Sequence, residues 1–290
     1  MIGVVVMAYG SPGSPEEIEP YYTHIRRGRP PTEEQLADLR RRYDALGGTS
    51  TLRARTDAQV RVLQSALGAD VRVALGMKHA APFIEDAVAL LHDCDRIVGV
   101  VLAPHDSAMS VGEYMARAEE AAKVPFSAVR SWATLPEYVS FLSSAVRDAL
   151  AGMPARTKVL FTAHSLPARI VDAGDPYPDE VRATAAAVAA QAGLAQWTQW
   201  STGWQSAGRT PEPWLGPDVL EVIDDLARDG GDGLLVCPCG FVSDHLEVAY
   251  DLDVEATARA EAAGIAFART RVLNDDETVL RALAAKVLEA

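Results

Sequence analysis

The chain has 290 residues, of which 49% are hydrophobic and 23% charged, with a formal net charge of -13. That length exceeds what one hydrophobic core usually serves, so two domains are expected, and the composition excludes a disordered chain. The acidic balance argues against nucleic acid as the main partner, because phosphate binding needs a basic face, and it favours cations.

In chain order, Ile2 to Met7 is an apolar run with no basic segment before it and no small-residue cleavage site after it. It reads as a buried strand, not a signal peptide. Val71 to Leu75, Ile97 to Leu102, Val159 to Thr162 and Leu234 to Val236 are further strands. Continuous apolar strands imply a sheet covered on both faces. Between them Pro82 to Leu91, Gly112 to Ala122, Leu135 to Leu150, Asp179 to Gln191 and Val219 to Ala227 repeat with helical period. Alternation of this kind predicts an α/β, doubly wound fold with parallel sheets. The end of a helix and the start of a strand-first unit around Gly152-Met153-Pro154-Ala155 place the boundary near 140 to 155, hence domains 1–145 and 146–290. The last helical segment, Asp276 to Leu288, is free to pack on either half. No apolar stretch approaches the ~20 residues of a membrane span, so a cytoplasmic protein is expected. Cys94, Cys237 and Cys239 do not form a secreted disulfide framework.

Ligands of such folds bind beyond the carboxyl ends of the strands. There the sequence places Ala8-Tyr9-Gly10-Ser11-Pro12, Ala103-Pro104-His105, Ala163-His164-Ser165-Leu166-Pro167 and Cys237-Pro238-Cys239-Gly240. None carries a dinucleotide or Walker-type glycine loop. His164, directly after a strand, is suited to accept a proton or bind a metal near neutral pH. Glu247, Asp251 and Glu255 follow at helical i, i+4, i+8 spacing, a row of carboxylates for which a hydrated divalent cation is a natural counter-ion. Taken alone, that row reads as a solvated acidic face. Tyr21 to Arg29 and Arg40 to Tyr43 concentrate aromatics and guanidinium groups, which suits a flat anionic ligand or, for Arg40 to Arg42, surface ion pairs.

The strings VVMAYGSP, YYTHIRRGRPP, RYDALGG, GMKHAAPFIEDAV, VLAPHDS, TAHSLP, DPYP, GWQSAGRTPEPWLGPDV and GFVSDHLEVAYDLD occur in order along almost the whole chain. Together they resemble the ferrochelatase family, specifically the coproporphyrin ferrochelatases of Gram-positive bacteria. The resemblance implies two similar doubly wound domains with a cleft between them and insertion of Fe(II) into coproporphyrin III. It implies that His164 and Glu247 form the pair on the metal side, that Tyr9 lies on the other face as axial ligand of the product iron, and that Arg26, Arg42, Tyr43, Ser50 and Tyr114 contact the macrocycle or its propionates. Asp251 and Glu255 would then be an outer metal site. Tyr9 separates this group from the protoporphyrin enzymes of the family, so the alternatives are a protoporphyrin IX ferrochelatase or a non-catalytic porphyrin- or haem-binding protein on the same scaffold. Some actinobacterial members carry a [2Fe-2S] cluster on four cysteines. With only Cys94, Cys237 and Cys239 present no such cluster is expected, and no cofactor beyond the Fe(II) substrate. The Cys237/Cys239 pair is expected to be core, and the Trp197 to Trp204 stretch to be core, a cleft lip or a partner site. A monomer is expected, with room for a transient contact with the next haem-pathway enzyme.

Overall fold

The computed structural model of the chain describes residues 1–196 and 198–290. In the first half β1 (Ile2–Ala8) precedes α1 (Ile18–Ile25), α2 (Glu33–Ala45) and α3 (Leu52–Leu67). These lead to β2 (Val71–Met77), α4 (Ile84–Ala89), β3 (Arg96–Val101), α5 (Val111–Ala121), β4 (Phe126–Val129) and α6 (Pro136–Leu150). The second half runs β5 (Lys158–His164), α7 (Arg169–Asp172), α8 (Tyr177–Ala192), β6 (Trp200–Gln205), α9 (Val219–Arg228) and β7 (Gly233–Cys237). It closes with α10 (Leu246–Val248), a π-helical segment (Ala249–Ala256), α11 (Thr257–Ala263), β8 (Ala266–Arg269) and α12 (Glu277–Glu289).

Two four-stranded parallel sheets result, ordered β2-β1-β3-β4 and β6-β5-β7-β8. The two halves thus repeat one winding. β1 and β5 are central strands covered on both faces, which is why Val4 to Met7 and Val159 to Phe161 are 0% exposed and why both read as unbroken apolar runs. The edge strands β4 and β8 have only four residues each and are mostly half-buried, and the β6 edge carries Ser201, Thr202 and Gly203. These edges lack the β-branched runs of the central strands, and the sequence pattern missed all three. The polar α2 escaped for a similar reason: only Tyr43 on it is buried, and its start is set instead by a capping box between Thr32 and Gln35.

One apolar cluster joins the halves, running from Val4 and Val98 through Tyr138 and Leu142 to Phe161 and Leu235. α6 spans the 145/146 position and packs on α8 and β7 of the second half. α12 reaches back onto α3. Gln59 of α3 ties the same seam, its amide donating to the carbonyls of Val242 (3.1 Å) and Asn274 (2.9 Å). Cys237 and Cys239 are fully buried, and Trp204 is buried against Tyr177, while Trp200 is half-buried on Phe161. Trp197 lies outside the described residues. Among the described residues no helix is long and apolar enough to cross a membrane.

Candidate active site

In each sheet the winding reverses beside the central strand, and a crevice opens there beyond the carboxyl ends. β1 ends at Ala8 and delivers Tyr9; β5 ends at His164. Equivalent positions of the two halves therefore face one cavity of about 1190 Å³, large enough for a macrocycle. Tyr9, Arg26, Arg42, Tyr43, Ser50, Tyr114, His164, Glu247 and Asp251 all line it. Glu255 does not line it and stands behind, 4.0 Å from the Arg42 guanidinium.

His164 is held from both sides. Its Nδ1 donates to the Ser165 carbonyl (2.6 Å), which leaves Nε2 facing Glu247 Oε1 at 3.5 Å. Its own carbonyl accepts from the Tyr177 hydroxyl (3.0 Å). Glu247 is the second residue of α10, where its N–H donates to Nδ1 of the capping residue His245 (3.0 Å) and its carbonyl accepts from the Gln205 amide (2.9 Å). Gln205, 0% exposed, also accepts from Thr162 on β5 (2.8 Å), so one side chain couples the carriers of both groups. Gly240 makes the approach of the β7 loop to β5 possible, since a Cβ there would lie 2.4 Å from Ala163 Cβ. Gln205, Tyr177 and Gly240 carry no role in the sequence reading, because their partners lie between 13 and 77 positions away and nothing local marks such a residue.

Electrostatics make the pair an ion pair. Desolvation in the cleft pulls His164 down, but the Glu247 carboxylate overrides it and raises the imidazole to about 9. Desolvation likewise raises Glu247, and the His164 charge outweighs it, bringing the carboxyl to about 2. Tyr9 stays a phenol, its pKa raised by desolvation within the cleft and by Glu247.

The acidic row differs from the sequence reading. Past Val248 the helix widens to π geometry, a form enriched at functional sites, so the carboxylates do not stack as on an α-helix. Asp251 is turned inward, 7% exposed, bonded by the Ser206 hydroxyl, and burial pushes it up to about 7. Ser206 is held at φ 60, a left-handed conformation that costs a non-glycine residue and recurs at functional sites. In this structure the cation facing the row is Arg42, 3.6 Å from Asp251 and 3.3 Å from Asp38. Among the described residues no three His, Cys, Asp or Glu side chains converge as a metal cage. Arg40 and Arg41 also make ion pairs, with Glu19 and Asp38. Arg26, by contrast, meets a backbone carbonyl and the Tyr22 ring, leaving its charge available to a ligand.

A sequence model described as Ferrochelatase matches residues 1–290. Coproporphyrin III ferrochelatase of Anoxybacillus flavithermus is 43% identical over 99% of this chain and 96% of its own. That of Halalkalibacterium halodurans is 45% identical over 94% of this chain and 92% of its own. Among solved structures, the sirohydrochlorin chelatase SirB from Bacillus subtilis subspecies spizizenii in complex with cobalt superposes with a TM-score of 0.61 at 12% identity, covering 99% of this chain and 94% of that one. CbiX, the terminal enzyme for biosynthesis of sirohaem in denitrifying bacteria, gives 0.56 at 16% identity with 99% of both chains covered. The two-lobed winding is therefore the chelatase fold.

Proposed function

The chain belongs to the ferrochelatase family, and we propose on that footing that it inserts Fe(II) into coproporphyrin III to give Fe-coproporphyrin in haem biosynthesis, a lyase of the metal-chelatase type. The observation that carries the site assignment is the His164–Glu247 ion pair at 3.5 Å on the wall of a cleft whose other half supplies Tyr9, Tyr43 and Arg26.

A free-base porphyrin keeps two N–H protons at its centre, and both must leave as iron enters. In the resting site the cation balancing Glu247 is the proton on His164. Fe(II) arriving at the pair exchanges for that proton, which frees imidazole nitrogen and carboxylate oxygen as ligands. Once iron passes to the ring, the emptied pair takes up one pyrrole proton and passes it to solvent, since both side chains are about a third exposed, and then takes up the second, which restores the resting proton on His164. Clamping of the propionates by Arg26 and of the ring by Tyr43 and Tyr114 holds the macrocycle against Tyr9 and supports the tilt that bares its nitrogens, a strain of about 1–5 kcal/mol drawn from remote binding energy. Arg42 acts on the wall, holding Asp251 and Glu255, which serve as an outer staging site for the hydrated metal when Arg42 swings aside toward a propionate. Two lobes, each on one sheet with α6 carried by the second, provide the cleft. No cofactor beyond the iron substrate is required, and the three cysteines serve the core. The protein acts as a cytoplasmic monomer that meets the next enzyme of the pathway only transiently.

Anaerobic addition of Fe(II) to the chain with coproporphyrin III or protoporphyrin IX tests this. Faster turnover of the tetracarboxylated ring, lost in His164→Ala, is expected. Preference for protoporphyrin IX overturns the substrate assignment, and equal rates with and without His164 overturn the site.

A further inference from the structure

Tyr9 stands 41% exposed in the cleft, yet a row of rings braces it. The backbone N–H of His79, just past β2, donates to the Tyr9 carbonyl (3.0 Å), and the His79 imidazole packs on the phenol with centroids 4.7 Å apart and planes at 58°. His79 Nδ1 in turn lies 3.0 Å from Nδ1 of His24 on α1. His24 stacks on Phe83, before α4, at 5.2 Å and 27°. A bond between two ring nitrogens shares a single proton, so each imidazole fixes the plane of the other. His24 is exposed and His79 half-buried. A half-exposed hydrogen bond adds only about 0.5–1.5 kcal/mol of stability, whereas groups behind a metal ligand set its orientation. Gly10, at φ 89, keeps the following turn close to Ala80 in the same loop, so Tyr9 and His79 are held as neighbours by backbone as well.

We propose that His79, locked by His24, is a positioning residue for Tyr9 that fixes the phenol ring in the orientation from which its oxygen reaches iron in the bound macrocycle. The inference rests on the reading of Tyr9 as the axial ligand given above.

The test uses the full chain carrying 3-fluorotyrosine at position 9, followed by fluorine NMR without porphyrin, and the absorption and resonance Raman spectra of the chain with ferric coproporphyrin III. One fluorine line at the shift of a single ring orientation is expected, moving to the averaged position of a freely flipping ring in His79→Ala and His24→Ala. The phenolate-to-iron band, absent in Tyr9→Phe, should weaken about tenfold in His79→Ala. Unfolding midpoints should fall by no more than a few degrees in His24→Ala. An unaltered fluorine spectrum in His79→Ala overturns the proposal. If Tyr9→Phe leaves the iron spectrum as it was, the ligation reading fails, and the fluorine lines still decide whether His79 orients the ring.

Discussion

Replacing Glu247 by Gln removes one charge while keeping shape and size, and it should lower the pKa of His164 by at least about one unit. Unit charges 3.5 Å apart attract by about 5 kcal/mol at an effective dielectric of 20 and about 1 kcal/mol in bulk water. With 36% and 37% of the two side chains exposed, screening favours the lower part of that range, about 2 kcal/mol or roughly 1.5 pKa units. The imidazole, raised to about 9 beside Glu247, would then titrate closer to its ordinary value of 6.5. Nuclear magnetic resonance of the imidazole carbons, with His164→Ala to assign the signal, measures this directly. Linkage gives a second readout. A raised histidine contributes stability in full below 6.5 and loses it as pH climbs through about 9, while the depressed Glu247 contributes above 4.5 and loses it as pH falls through about 2. In Glu247→Gln the decline in urea-unfolding free energy between pH 6.5 and 9 should flatten. A His164 pKa that moves by less than about 0.3 unit refutes the ion-pair account of the site.

Gly240→Ala forces a methyl against Ala163 one residue before His164, so it should cost about 1–3 kcal/mol in chemical denaturation and lower the rate of metal insertion. Gln205→Leu removes the bridge between Thr162 and the Glu247 carbonyl and strands the buried Thr162 hydroxyl; a loss of about 1–3 kcal/mol is expected, with kcat reduced more than porphyrin affinity in steady-state kinetics. Arg42→Ala leaves Asp251 buried without its cation, which should destabilise the fold by about 2–3 kcal/mol at pH 8 and by less at pH 5.5, where Asp251, pushed up to about 7, is neutral. Urea titrations at the two pH values check that difference.

The local sequence determined much. Buried parallel strands announce themselves because both faces are covered and no polar residue interrupts them, so β1, β5 and β7 and the α/β class were legible, as was the placement of Tyr9 and His164 at strand ends. Tertiary structure decided the rest. Edge strands such as β4 and β8 are defined by a neighbour, not by their own pattern. The same holds for the acidic helix: i, i+4 spacing describes an α-helix, while the π geometry that turns Asp251 inward and the choice of Arg42 as its partner depend on α2, two hundred positions away, lying across the cleft. The His24–His79 pair was invisible for the same reason, since each looks like an ordinary loop or helix histidine until α1 meets the loop after β2. Residue type supplied the chemistry of the site; its protonation state, set by charges a few ångströms apart, required the fold.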